Sequence, residues 1–185
     1  MDRRTLEIIE SLMETQAKLN DSKSLQWREA TLTDPHGFDY RFFILLSIGK
    51  RWNENFITDE CYRANLVDIT HFLFSYSYVV ERSSEKFYYS SGEEHTVIKA
   101  ITDAWYNSDK RIAYHGNTID FGQAISIKFL ERLIGNLYGR HKEIIQSNYN
   151  VITLGEAWEN LFMAMKTRAL GYTIQDFQND YLSKA

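Results

Sequence analysis

The stretch that decides the fold is residues 58–80, with the sequence TDECYRANLVDITHFLFSYSYVV. Its large apolar side chains recur every three or four residues, which predicts one face of a helix buried in a core. The members of this apolar stripe are Tyr62, Leu66, Ile69, Leu73, Tyr76 and Val80. Thr58 stands at an N-cap position, and Asp59 and Glu60 follow in the first turn, where the helix dipole favours acidic side chains. The pattern therefore predicts a long, core-forming helix from Thr58 to about Val80.

Helical spacing continues on both sides of this segment. Further helices are predicted at residues 3–20, 39–52, 91–106 and 119–146, and capping-box patterns at Thr153-x-x-Glu156 and Thr173-x-x-Asp176 predict two more helix starts. Gly171 is placed as the glycine that ends the helix before the last start. The single proline, Pro35, belongs to a predicted loop at residues 31–37. With no credible set of strands, we predict an all-α, multi-helix bundle that forms one domain over residues 1–185.

The composition excludes several classes of protein. The 185 residues are 44% hydrophobic, which is enough for a core and excludes a disordered chain. The formal net charge of −4 argues against a protein that coats nucleic acid or a membrane surface, because such proteins show a basic excess. Cys61 is the single cysteine, so no intrachain disulfide can form. No segment resembles a signal peptide or is long enough to span a bilayer, and we expect a soluble cytoplasmic protein.

Asp68 is the first candidate for a functional residue. It lies in the middle of the predicted third helix, among large apolar neighbours, where a carboxylate is costly unless it is paired or bound to a metal. Helical spacing places it on a narrow polar stripe with Asn65, His71 and Ser75. Two interpretations are open: Asp68 is a metal ligand, or it is satisfied by His71 or by an arginine.

Gln16, Asn20 and Trp27 form the second candidate group. Gln16 and Asn20 lie one helical turn apart, and an amide side chain offers both donors and acceptors, as the edge of a pyrimidine base requires. A nearby tryptophan could stack on such a ring. The alternative is that the three are ordinary cap and surface residues at the end of the first helix.

Three segments of the chain resemble the all-α dimeric dUTPases and the phage dCTPase/dUTPases, which are relatives of the MazG-type nucleotide pyrophosphatases. Residues 12–20, LMETQAKLN, followed by Trp27, resemble the opening of that family. Residues 66–72, LVDITHF, resemble its second acidic motif, and residues 161–184 resemble its C-terminal helices. The three matches come in the family's order and together cover about half of the chain.

The resemblance implies an activity, a metal and a dimer. Members of the family cleave the α–β bond of a pyrimidine deoxynucleoside triphosphate, using two or three Mg²⁺ ions that acidic side chains of two helices hold. The positions that match the family's functional residues are Gln16, Asn20 and Trp27 for base recognition, Asp68 for the metal, and Tyr181 and Lys184 near the phosphates.

The acidic ligands of the family are largely missing from this chain. Asn65 stands where the second motif has a glutamate, and no acid occurs between Asp39 and Glu54 in the helix that should carry the first motif. Asp68 alone cannot hold two metal ions beside a triphosphate, because such a site needs several negative charges close together. We therefore expect a degenerate, non-catalytic relative without a bound cofactor. It would bind a pyrimidine deoxynucleotide, or act as a protein-interaction subunit.

An active enzyme is the alternative. Acids at shifted positions, namely Asp39, Glu54, Asp59 or Glu60, would then hold Mg²⁺ together with Asp68, and the chain would be a dUTP/dCTP diphosphatase. A helical RNase is disfavoured because no arginine and histidine have the spacing that it needs. The 15% aromatic content exceeds the need of one small core, which favours a homodimer or another protein partner. Neither a membrane nor a nucleic acid is an expected partner.

Overall fold

The computed structural model describes residues 3–23, 26–30, 38–53, 59–83, 96–115 and 149–185. In chain order its helices are α1 (Arg3–Lys23), α2 (Phe38–Asn53), α3 (Asp59–Ser83), α4 (Val97–His115), α5 (Tyr149–Arg168) and α6 (Ile174–Lys184). A short 3-10 helix, Gln26–Arg28, follows α1. No strand occurs within these ranges, and the helices form a bundle, which confirms the all-α prediction.

Helix α3 lies at the centre of the bundle and packs against α1, α2, α4, α5 and α6. The predicted apolar stripe is confirmed for five of its six members. The side chain of the sixth, Tyr62, is not among those that the structure describes. Each of the five confirmed side chains is at most 1% exposed: Leu66, Ile69, Leu73, Tyr76 and Val80. The buried hydroxyls of Thr70 and Ser77 donate to the carbonyl oxygens of Val67 and Leu73, at 2.6 and 2.7 Å. Because these polar groups are satisfied within their own helix, α3 can be buried over most of its circumference.

An aromatic cluster fixes α6 to the rest of the bundle. Phe177 of α6 is fully buried, and its ring centroid lies 5.4 Å from that of Phe162 and 6.2 Å from that of Trp105. Trp158 of α5 lies 4.5 Å from Phe74 of α3, measured between ring centroids. Aromatic pairs at these distances add to the stability that area burial alone provides. The cluster therefore joins α3, α4, α5 and α6 into one core.

The connection between α5 and α6 has the predicted cap. The Thr173 side chain accepts a hydrogen bond from the Asp176 N–H group, and the Asp176 carboxylate accepts one from the Thr173 N–H group. This reciprocal pair is the capping box that the sequence predicts. Gly171 has a φ of +73°, the left-handed region that glycine favours, and it lies in the turn where it was expected.

Three predicted helix boundaries are wrong, one of them the start of the fourth helix at Ser91, because Thr96 lies outside the helix and α4 begins at Val97. Thr153 does not start a helix, because α5 already begins at Tyr149; a local cap pattern has no free N–H groups to satisfy when the backbone before it is helical. Helix α4 runs past the predicted end at Tyr106 to His115. Contacts with α5 accompany the extension: Arg111 donates to Asn160 Oδ1 at 3.1 Å.

Several predictions fall outside the described residues. These are the helix at 119–146, the loop at 31–37, the Thr58 cap and the capping box at Ser91-x-x-Glu94. At the start of α4 as described, the Lys99 N–H group donates to Thr96 Oγ1 at 3.2 Å, so Thr96 caps this helix. None of the helices in the described ranges combines the length and the apolar character needed to cross a bilayer.

Candidate functional site

A cavity of about 650 Å³ lies between α1, α2, α3 and the end of α6. This volume falls in the range of small-molecule sites. Its wall includes five of the six residues that the resemblance selects, namely Gln16, Asn20, Trp27, Asp68 and Lys184. The sixth, Tyr181, reaches the wall through a hydrogen bond to Gln16. The fold thus brings together residues that are up to 168 positions apart in the sequence, between Gln16 and Lys184 (184 − 16).

A chain of hydrogen bonds fixes the two amide side chains in the cavity wall. Gln16 is 6% exposed, and its Oε1 accepts from the Tyr181 hydroxyl at 2.6 Å and from His71 Nδ1 at 2.9 Å. Gln16 Nε2 donates to Asn20 Oδ1 at 2.9 Å, and Asn20 Nδ2 donates to Ser75 Oγ at 3.1 Å. Because side chains of α1, α3 and α6 hold them, both amides have a fixed orientation before any ligand arrives.

Each of the two amides has one N–H group without an acceptor among the residues that the structure describes. A primary amide carries two N–H groups. In the part of the chain that the structure describes, the amino group of Gln16 has one acceptor, on Asn20, and the amino group of Asn20 has one, on Ser75. The remaining N–H groups can meet carbonyl oxygens or unprotonated ring nitrogens. A pyrimidine base presents such acceptors along one edge.

His71 supports this arrangement as a neutral ring. Its ring stacks on that of Tyr181, with centroids 4.0 Å apart. Burial is the main cause that lowers the pKa of His71 to about 4, so the ring is uncharged at pH 7. A neutral imidazole carries one N–H group, and since Gln16 Oε1 is an acceptor, that group lies at Nδ1. Burial also raises the pKa of the Tyr181 phenol, which remains a donor toward Gln16.

Asp68 is held by two cations. Its Oδ1 lies 3.0 Å from Lys184 Nζ, and its Oδ2 lies 3.6 Å from Arg51 Nε. All three side chains are about one third exposed, so they are accessible from the cavity. The sequence predicted His71 or an arginine as the partner of Asp68. The partner is the arginine, Arg51, whereas His71 forms its hydrogen bond with Gln16. The lysine partner comes from α6, and the sequence did not predict it as a partner of Asp68.

The charged side chains in the cavity wall are mostly positive. Among the lining side chains that the structure describes, Lys23, Arg51 and Lys184 are positive and Asp68 is negative. This local excess of positive charge contrasts with the net charge of −4 of the whole chain, and it favours an anionic ligand. No local sequence pattern singles out Lys23 and Arg51, because each lies at the end of a different helix and the tertiary fold places them together.

Trp27 lies deep in the wall. It is 2% exposed, and its Nε1 donates to Asp21 Oδ1 at 3.0 Å. The guanidinium carbon of Arg28 lies 4.8 Å from the centroid of the indole ring, and the Tyr78 ring meets it edge-on at 5.3 Å. Most of the indole therefore contacts protein, so the interpretation as a surface residue is wrong for Trp27. Its stacking role stays a prediction.

A second aromatic pair is more open to the cavity. Phe43 of α2 is 59% exposed, and its ring centroid lies 6.1 Å from that of Phe72 of α3. The guanidinium carbon of Arg51 lies 4.7 Å from the centroid of Phe72. Both phenylalanines line the cavity. They offer an apolar surface for a planar ring next to the cationic side of the site.

The described wall does not fit the Mg²⁺ that the resemblance implies. A magnesium site needs free carboxylate oxygens, whereas both oxygens of Asp68 face cations. Within the described ranges, no group of three or more Asp, Glu, His or Cys side chains is arranged to hold a metal ion.

The fold and the site define a helical bundle with a cavity that combines fixed amides, aromatic rings and a cationic cluster. Comparison of the chain with protein-family models, with curated proteins and with solved structures finds no match.

Proposed function

We propose that the chain is a degenerate, non-catalytic relative of the helical dUTPases that binds a pyrimidine deoxynucleotide in this cavity. One observation supports the proposal above the others. A pair of fixed amides, on Gln16 and Asn20, shares one cavity with a cationic cluster of Lys23, Arg51 and Lys184. A nucleotide is a ligand that needs both, since its base is read by hydrogen bonds and its phosphate is anionic.

The direct test is calorimetric titration, with a thermal-shift assay beside it, using dUTP, dCTP, dUMP and dCMP at pH 7. We expect saturable binding of at least one of them, because the amides of Gln16 and Asn20 and the cationic side chains line the same cavity. If none of the four gives heat or a thermal shift, the nucleotide proposal is wrong. The protein-interaction role would then remain.

The same samples distinguish a binding protein from an enzyme. Incubation with dUTP or dCTP and Mg²⁺ or Mn²⁺ is expected to release no pyrophosphate above the buffer blank. Release at a rate proportional to protein concentration would favour the active Mg²⁺-dependent diphosphatase instead, with metal ligands at positions such as Asp39 or Glu54. The result decides between the two functions even if both bind the same nucleotide.

We also propose a homodimer, as the resemblance implies. Phe43 and Leu46 are 59% and 57% exposed and lie one turn apart on α2, which gives this helix an apolar outer surface. Light scattering at micromolar concentration should give twice the 21.8-kDa mass of the chain. Leu46→Gln, which leaves the cavity wall intact, should shift the mass toward the monomer. A wild-type mass of one chain would contradict the proposal.

A further inference from the structure

We infer that Arg51 and Lys184 hold the nucleotide phosphate directly, without a divalent cation, and that Asp68 is the counter-ion that they exchange for it. This inference rests on the proposed nucleotide binding and specifies how the anionic half of the ligand is recognised. It assigns Asp68 a role opposite to that of a metal ligand.

The geometry of the ion pairs supports an exchange. Arg51 Nε approaches Asp68 only to 3.6 Å, and the Arg51 guanidinium also makes a long hydrogen bond, of 3.5 Å, to the Ser47 carbonyl oxygen. Arginine has five N–H donors, so several remain available among the contacts described. Lys184 Nζ donates to Asp68 Oδ1 at 3.0 Å and to the Ala64 carbonyl oxygen at 3.2 Å, which leaves one of its three donors. Neither cation is saturated by the carboxylate.

The charges favour a phosphate over the carboxylate. Lys23 also lines the cavity, and no ion pair of Lys23 is found with any residue that the structure describes. A phosphate monoester carries nearly two negative charges at pH 7 and has three acceptor oxygens, whereas Asp68 offers one charge and two oxygens. Arg51, Lys184 and Lys23 can therefore each gain a stronger partner when the phosphate arrives.

Removing the charge of Asp68 distinguishes a counter-ion from a metal ligand, because the two roles predict opposite changes in affinity for the nucleotide. If Asp68 competes with the phosphate, Asp68→Asn frees both cations and removes a repulsive charge, so affinity increases. If Asp68 ligates a metal that bridges to the phosphate, the same substitution decreases affinity. The asparagine has nearly the shape of the aspartate, and a partly exposed position tolerates the change.

The experiment is calorimetric titration of dUMP and of 2′-deoxyuridine, each with EDTA or with Mg²⁺, at low ionic strength. Asp68→Asn is expected to bind dUMP about threefold to fivefold more tightly than wild type, which is the range for a partly exposed charge pair. Affinity for 2′-deoxyuridine, which has no phosphate, should not change. Wild-type affinity for dUMP should be the same with EDTA and with Mg²⁺.

Two further variants complete the experiment. Asp103→Asn removes the same charge from α4, and Asp103 does not line the cavity. Because solvent ions screen the interaction between distant charges, this variant should bind dUMP within about twofold of wild type. Lys184→Gln should weaken dUMP binding by about tenfold without affecting 2′-deoxyuridine. It also keeps the inference testable if Asp68→Asn does not fold.

The inference is overturned if Asp68→Asn weakens dUMP binding, if EDTA abolishes it in the wild type, or if dUMP binds no more tightly than 2′-deoxyuridine. In each of these cases the base still binds, and the proposed function stands. The proposed function itself fails only if wild type binds none of dUTP, dCTP, dUMP and dCMP.

Discussion

Phe177→Ala is expected to lower the free energy of unfolding by about 3–5 kcal/mol, the range for truncating a fully buried phenylalanine. The ring is 0% exposed, and its centroid lies 5.4 Å from that of Phe162, 6.2 Å from Trp105 and 6.4 Å from Phe74. Removing it takes apolar area out of the core and leaves a cavity that three rigid rings cannot fill. Urea unfolding followed by circular dichroism measures the loss.

The substitution should also weaken nucleotide binding. Phe177 anchors α6, and the same helix carries Tyr181 and Lys184, which contact Gln16 and Asp68. The loss of binding should exceed what the fraction of unfolded protein explains, because the remaining folded molecules have a poorly fixed α6.

The matched control is Leu182→Ala on the same helix. Leu182 is 46% exposed, so its truncation should change the free energy of unfolding by no more than about 0.5 kcal/mol. A loss below about 1 kcal/mol for Phe177→Ala, or an equal loss for both variants, would show that α6 is not held by the aromatic cluster.

Local signals were sufficient for the core of α3 and for the turn before α6. The apolar stripe from Leu66 to Val80 follows the helical repeat closely, so periodicity alone located this buried helix face. The Thr173 cap and Gly171 are likewise set by their neighbours in sequence. Thr153 shows the limit of such signals, since a cap pattern within an existing helix has no function.

The candidate site was only partly predictable for a physical reason. The spacing of Gln16 and Asn20 places both amides on one face of α1, and the apolar surroundings of Asp68 indicate that it needs partners. The identity of those partners depends on how α2 and α6 pack against α3, which no local pattern encodes. Arg51 and Lys184 are separated by 133 positions (184 − 51), and both form ion pairs with Asp68.

His71 should make the protein sensitive to acid. Burial is the largest cause of its lowered pKa, and the positive charges of Lys184 and Lys23 lower it further. The carboxylate of Asp68 and the backbone carbonyl of Tyr181 act in the opposite direction but do not compensate for burial. The folded pKa is about 4, against a reference value of 6.5. The folded state therefore binds fewer protons than the unfolded state at any pH between these two values.

The stability that the neutral ring provides is complete above pH 6.5 and decreases as the pH falls from 6.5 toward 4. Lowering the pH from 7.0 to 4.5 should therefore cost the folded state about 2 kcal/mol through His71 alone. Urea unfolding at these two pH values measures the total loss, to which the carboxylates and the other histidines also contribute.

His71→Asn isolates the contribution of this ring. Asparagine does not titrate, and its side-chain amide can donate to Gln16 Oε1 in place of the imidazole Nδ1–H group. The variant will be less stable than wild type at pH 7, because the stacking on Tyr181 is lost. It should nevertheless lose about 2 kcal/mol less than wild type between pH 7.0 and 4.5. Equal losses in the two proteins would mean that His71 takes up its proton in the folded state as easily as in the unfolded chain, and that burial in the cavity wall does not keep the ring neutral.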